Sequence, residues 1–436
     1  MWAHEILGVP KRLDLSVHLL RAARNEPALH ALKPYYRDHF FHALEVCFLG
    51  HFILETTMKN GRRFWEIVAD YLGCSGKENN VLRMWYLAAL LHDIGYGVDL
   101  MKSIRHLLGF FSNAEPISQF LHSLESAFDS ISDSMAREGF LGAVGADKVG
   151  EDHGMISARH LWALLEKIGK DDCSLDVGQY GPAIRAIGLH NSRVAGQGKN
   201  VAFRNDPIAF LLILCDTIQE WNRPRLGFET APFQMLSWMQ DAARDSTAEA
   251  PTSKLWLNAT YRDDGHWKLC SDARDELTLR LEFTDRINKN DAVFFLWLDA
   301  TSNLQRLDCT GLDIDINIEF ITPFLTKPFS LGPQRQFYRL KDATRETHMG
   351  FLNRWFPSKP TGKQGEVTNG AVTYRTSRAP ETNKQFEHVT LNLRNLTQSP
   401  LITKPMAEFL SCLRRWKNFH DNMEFLGDYG LPEYPS

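Results

Sequence analysis

Paired thiols, long apolar runs and an excess of either charge are all missing from this 436-residue chain. Its seven cysteines (Cys47, Cys74, Cys173, Cys215, Cys270, Cys309, Cys412) are odd in number, scattered, and never in a C-x-x-C step. That pattern argues against a disulfide framework and a thiolate zinc site, and it points to a reducing, cytoplasmic setting. Apolar stretches such as residues 208–215 fall far short of the ~20 residues that a bilayer span requires. The first ten residues lack a basic segment followed by a sustained apolar one, so no secretory signal is expected. Lysine and arginine number 49 against 53 aspartates and glutamates. A net charge of −4 supplies no global field to recruit nucleic acid or an anionic membrane. Several catalytic signatures are absent as well: no G-x-S-x-G elbow, H-E-x-x-H helix or G-x-G-x-x-G loop occurs. The run at 196–200 is no P-loop, because Arg193 takes the first glycine's place and Asn200 the Ser/Thr position.

What remains is the composition of an ordinary soluble globular protein, 44% hydrophobic and 23% charged. The length allows two domains, since single cores rarely grow past ~250–300 residues. Residues 12–240 read as helix after helix. Phe41, Leu44, Phe48 and Phe52 recur at helical spacing, as do Ala209, Leu212 and Ile213. An insert at 99–150 carries amphipathic segments at 104–111 and 117–131, which a lid over a site or a pair of packing helices would explain equally. The small polar residues of 241–253 are the best linker. Beyond them the period shifts towards two, predicting strands at 255–261, 276–283, 292–298, 312–320 and 389–396, with a closing helix at 405–419. The expected architecture is an all-α domain over 1–240, then an α+β domain over 254–436 with a mainly antiparallel sheet.

Chemistry concentrates in the first domain. His92-Asp93 ends the apolar run Tyr86-Leu-Ala-Ala-Leu-Leu, placing an imidazole and a carboxylate at the wet end of a buried helix. Both are metal-ligand types, and a hydrophobic core gains nothing from an uncompensated carboxylate. Other such residues lie on apolar helical faces. His42 shares a face with Val46, Leu49 and Ile53, and His153 aligns with Ile156. His190 follows Ala183, Ala186 and Ile187, and Asp216 follows Leu212 and Ile213. Taken singly, each fits a satisfied core or capping residue. Their order is what joins them into one site.

The order H…HD…H…H…D, with an apolar helix leading into Leu91-His-Asp-Ile-Gly95, resembles the HD-domain superfamily of metal-dependent phosphohydrolases. The resemblance covers about residues 35–225, and the C-terminal half resembles no family. His42, four residues before Val46, matches the first ligand; His39 is its rival. The resemblance implies an HD-type helical domain in which His42, His92, Asp93 and Asp216 hold a first ion. Asp93 then bridges to a second ion completed by His153 and His190, and orients an attacking hydroxide. The implied cofactors are two divalent transition metals drawn from Fe, Mn, Co, Ni or Zn, with Mg also admitted. The implied activity is hydrolysis of a nucleotide-like phosphoester, by a phosphodiesterase or a nucleoside-triphosphate phosphohydrolase.

Departures from the family pattern shape the remaining expectations. Tyr96 stands where many members carry a phosphate-facing lysine, so Lys102, Arg105, Arg193, Arg223 and Arg225 become the candidate phosphate contacts. Asn191 replaces the further histidine of a cyclic-dinucleotide-cleaving branch. An oxygen-activating di-iron branch uses the same ligand set, and a sensor with a structural HD site is a third reading. The expected partner is a small phosphoester rather than nucleic acid or membrane. Substrate recognition, homo-oligomerisation and binding of a regulator are all open to the C-terminal domain.

Overall fold

The computed structural model describes residues 39–95, 153–171, 177–191, 200–219, 253–257, 259–261, 267–269, 276–283, 303–323, 366–368, 372–378 and 385–398. The N-terminal part is helical, as its apolar periodicity predicts. Its helices are α1 (His39–Glu55), α2 (Phe64–Tyr71), α3 (Glu78–Leu91), α4 (His153–Asp171), α5 (Gly181–His190) and α6 (Pro207–Ile218). Pro182 and Pro207 sit in the first turns of α5 and α6, where the missing N–H costs nothing and the fixed φ favours the helix. Gly73, in the turn after α2, adopts a φ of 66°, which a side chain would resist.

α6 is apolar all round and buried from Pro207 to Cys215, which makes it the central rod of the bundle. Helices α1, α2, α3 and α5 pack against it, and α4 packs against α5. On α1 the face shared by His42, Val46, Leu49 and Ile53 turns inward, whereas Phe48 and Phe52 are exposed. Trp85 of α3 is fully buried against α1 at Gly50, where an added Cβ would lie 1.9 Å from the indole ring. Its N–H donates to the Cys47 carbonyl at 3.0 Å. A large ring therefore fills the space that one glycine leaves.

The C-terminal part contains a six-stranded sheet in the order β3 (Ser253–Leu257), β6 (Glu276–Phe283), β8 (Asp315–Pro323), β11 (Gln385–Asn392), β10 (Val372–Arg378) and β9 (Glu366–Thr368). It is mixed but mainly antiparallel, with β6–β8 the parallel pairing. Leu277, Leu279, Leu281, Ile316, Ile318 and Leu391 bury one face. On the other face the buried Glu319 carboxylate accepts from Arg280 Nε at 2.6 Å and meets His388 Nδ1 at 3.2 Å.

Three strand boundaries depart from the periodicity. The stretch 255–261 divides between β3 and β4 (Ala259–Tyr261), which belong to different sheets. β8 begins at Asp315 rather than 312, because the Arg394 guanidinium takes the Leu312 and Ile314 carbonyls at 2.7 and 3.0 Å. The expected strand over 389–396 stops at Asn392. Its side chain accepts the Asn395 N–H at 3.0 Å and opens a short helix, α7 (Leu393–Gln398), which buries Leu393 and Leu396 at helical spacing. Residues 241–252, the insert, and the segments expected at 292–298 and 405–419 lie outside the described residues.

Two short parallel pairings stitch early chain to late chain. β1 (Thr56–Thr57) pairs with β5 (Trp267–Leu269), which also pairs with β4, and β2 (Val201–Ala202) pairs with β7 (Leu307–Asp308). Tyr71 Oη donates to the Gly311 carbonyl at 2.6 Å. One cluster of buried residues runs through helices and sheet together. Among the described residues no helix is long and apolar enough to cross a membrane.

Candidate metal centre

The six residues singled out in the sequence converge at one end of the helical bundle. His42 comes from the first turn of α1, and His92 and Asp93 immediately follow α3. His153 is the first residue of α4, His190 the last of α5, and Asp216 lies in the last turn of α6. Helix ends suit this role, because their side chains leave the apolar core just where the backbone itself turns polar.

Asp93 organises the group. Its Oδ2 faces His92 Nε2 at 3.5 Å and His42 Nε2 at 3.9 Å. Its Oδ1 faces His153 Nε2 at 3.5 Å and His190 Nε2 at 3.6 Å. The two carboxylate oxygens thus serve two separate pairs of imidazoles. Asp216 Oδ1 closes the first side, 2.8 Å from His42 Nε2 and 3.7 Å from His92 Nε2. His42, His92 and Asp216 form one group able to hold a metal ion, and His92, Asp93 and His190 form another.

Hydrogen bonds behind the rings decide which nitrogens face the centre. His92 Nδ1 lies 2.8 Å from the Ala89 carbonyl and His190 Nδ1 lies 2.6 Å from that of Ile187. A carbonyl accepts and cannot donate, so both rings carry a proton on Nδ1 and turn Nε2 towards the centre. His42 reaches the same state through a longer relay. Gln219, fully buried, donates its amide N–H to the Glu45 carboxylate and turns its oxygen to His42 Nδ1. Three imidazole Nε2 atoms and two carboxylates therefore point into one buried volume. His92 Nε2 is wholly buried and has no hydrogen-bond partner. Such a cluster of buried carboxylates is costly unless positive charge, as protons or as a metal cation, enters it. Nitrogen and oxygen ligands without thiolate suit divalent metals of the Mn-to-Zn series.

His153 differs from the other three. Its Nε2 lies 3.2 Å from His190 Nε2, and its Nδ1 lies 3.1 Å from Asn191 Nδ2. Because His190 Nε2 carries no proton, the proton of His153 sits between the two rings and Asn191 donates to Nδ1. For His153 to act as a ligand, that proton must move to Nδ1 and the Asn191 amide must present its oxygen instead.

The electrostatics of the metal-free centre express the same demand for positive charge. Burial alone would lower the pKa of His92, yet the carboxylates of Asp93 and Asp216 outweigh it and hold the ring up at about 9. Burial would likewise raise Asp216, but the imidazoles of His42 and His92 keep it well below the ordinary carboxylate range. His153 is pushed down to about 3 by burial, with His190 and His92 adding to the effect against Asp93, so it stays neutral. The centre is most open on the side of Asp216 and His153, whose side chains are 27% and 19% exposed.

Two glycines let the elements approach closely. An added Cβ on Gly95 would lie 2.4 Å from the His153 carbonyl oxygen and 2.8 Å from Ser157 N. As a glycine, Gly95 instead donates its N–H to Ser157 Oγ at 2.8 Å, and that hydroxyl donates to the His153 carbonyl at 2.7 Å. On Gly154 an added Cβ would lie 2.9 Å from His190 Cε1. The sequence reading passed over both glycines in this role, and over the Glu45–Gln219 relay. A signal for the relay existed: Glu45 follows His42, and Gln219 follows Asp216, by three residues, so each pair shares a helical face. The candidate phosphate contacts Lys102, Arg105, Arg193, Arg223 and Arg225 lie outside the described residues, as do Tyr96 and the side chain of His39. Comparison with family models, curated proteins and solved structures returns no match to the chain.

Proposed function

We propose that the chain is a dinuclear metal-dependent phosphohydrolase of the HD type, acting on a nucleotide-like phosphoester. The observation that carries this reading is the division of Asp93, one oxygen to His42 and His92 and the other to His153 and His190. A carboxylate shared in this way is suited to bridge two ions. His42, His92 and Asp216 would hold the first ion with Asp93, and His153 and His190 would hold the second. Bound divalent ions in such a pair supply Lewis acidity towards phosphoryl oxygens and lower the pKa of a coordinated water.

The chain's own residues supply the rest of the chemistry. Nδ1–H bonds to Ala89, Ile187 and Gln219 hold three rings with Nε2 towards the centre. Burial of His42, His92 and His190 keeps bulk water from competing behind the ligands. The more open flank beside Asp216 and His153 is where a phosphoester would approach.

The test is a phosphate-release screen of the full chain, with Mn, Co, Ni or Mg, over nucleotides, cyclic nucleotides and a generic aryl phosphodiester. Turnover should appear with at least one metal and vanish in Asp93→Ala. The same ligand chemistry also serves di-iron oxygenases, so oxygen uptake is read in parallel. Iron-dependent oxygen consumption without phosphate release would overturn the hydrolase reading. A biological activity that survives Asp93→Ala would leave the chain a sensor or binding protein.

A further inference from the structure

The second-ion half of the centre depends on how α5 ends. Its last carbonyls have no intrahelical N–H to accept from, so each needs a donor from elsewhere. Ile187 O is taken by His190 Nδ1. The next two partners come from one side chain far along the chain. Arg306 Nη2 donates to Leu189 O at 2.8 Å, and Nη1 donates to His190 O at 3.3 Å. A guanidinium fork spanning consecutive carbonyls fixes direction as well as distance. Its positive charge also suits the negative end of the helix dipole.

Arg306 is itself held firmly. Its carbonyl accepts the Val201 N–H at 2.6 Å, beside the β2–β7 pairing. Leu304, Leu307, Cys309, Leu312 and Ile314 around it are buried in the shared core. Downstream, Tyr71 binds the Gly311 carbonyl and Arg394 binds those of Leu312 and Ile314. The clamp on α5 thus rests on backbone anchored at several points.

We infer that Arg306 is a positioning residue for the second metal ion, which makes the C-terminal half of the chain part of the metal centre's scaffold. The inference rests on the two-ion reading proposed above. Its logic is local. The helix end clamped by Arg306 carries His190 and, through Asn191, orients His153. Of the first-ion ligands, His42 and Asp216 sit on α1 and α6, and His92 directly follows α3. Metal sites accept displacements of only about 0.2 Å in ligand distance. A frayed last turn of α5 therefore costs the second ion and spares the first.

The experiment is Mn(II) titration of the full-length wild type, Arg306→Ala and Arg306→Lys, with bound metal counted and magnetic coupling between Mn ions read by electron paramagnetic resonance. The wild type should bind two coupled ions. Arg306→Ala should bind the second ion about 10–100-fold more weakly, the range typical of lost outer-shell support, and lose the coupled signal at low Mn. Its first-ion affinity should be unchanged, a selectivity that general destabilisation would not produce. Arg306→Lys, which keeps the charge but not the fork, should fall between them. Two coupled ions of wild-type affinity in a folded Arg306→Ala would overturn the inference. If that variant does not fold, wild-type second-ion affinity in Arg306→Lys overturns it. A wild type that binds one ion refutes the two-ion reading first, and Arg306 with it.

Discussion

Replacing Gly95 by alanine puts the close approach of α3 and α4 to a direct test. The added Cβ would stand 2.4 Å from the His153 carbonyl oxygen, 2.8 Å from Ser157 N and 2.9 Å from Ile156 Cβ. Ordinary contact begins near 3.4 Å, so the first turn of α4 must retreat by about 1.0 Å. All three obstructing atoms belong to helix backbone or to a β-branched stem, so a rotamer change cannot relieve the clash. Overpacking of this kind costs about 1–3 kcal/mol. The same retreat carries His153 away from Asp93, now 3.5 Å distant, by several times the ~0.2 Å that a metal site tolerates. Urea unfolding of metal-free protein should therefore show a destabilisation of about 1–3 kcal/mol. Metal titration should show a second-ion affinity reduced at least about tenfold. Gly181→Ala is the control, since a Cβ there meets nothing within 4 Å. Wild-type stability together with wild-type second-ion affinity in Gly95→Ala would refute the argument.

Other outcomes follow from the same centre. Gln219→Leu removes the acceptor behind His42, and first-ion affinity should drop about 10–100-fold in a metal-buffered titration, with Gln219→Glu recovering part of the loss. In metal-free protein, His92 has its pKa raised from 6.5 to about 9, so the stability it contributes is full below 6.5 and lost as pH rises through 9. Unfolding free energy should accordingly decline across that window, and metal loading should abolish the decline. Between those pH values metal uptake must also displace the His92 proton, so calorimetric binding heats at pH 7.5 should vary with the ionisation enthalpy of the buffer. Cys47 and Cys309 are buried with thiols pushed up to about 12, so a thiol reagent at pH 8 should label them only after unfolding.

The convergence of the six residues was legible because each opens or ends an apolar helical run, where periodicity marks both the element and the face. His92-Asp93 at the close of α3 is the clearest case. Periodicity was less decisive on α1, which is apolar around its circumference. Phe48 and Phe52 share the helical spacing with buried residues and yet face solvent, because spacing gives the angle between stripes and not which stripe turns inward. The relay from Glu45 through Gln219 to His42 joins residues some 174 positions apart, and partner choice across that distance leaves no local trace. Strand limits failed where side chains took over backbone groups. Arg394 claims the carbonyls before β8, and Asn392 turns from strand residue to helix cap. Arg306 was illegible for a related reason, since an arginine between Gln305 and Leu307 announces nothing about a helix end 116 residues upstream.

The two-residue parallel pairings and the Arg306 clamp also have a consequence in time. Chains fold broadly from the N-terminus as synthesis proceeds, and contacts of high sequence separation form late. The six converging residues have all been made once Asp216 is synthesised, but the arginine that steadies the end of α5 arrives some ninety residues later. A nascent helical half can gather these residues well before that end is braced. Completion of the centre therefore waits for the segment around β7, so metal acquired during synthesis should enter the first position before the second.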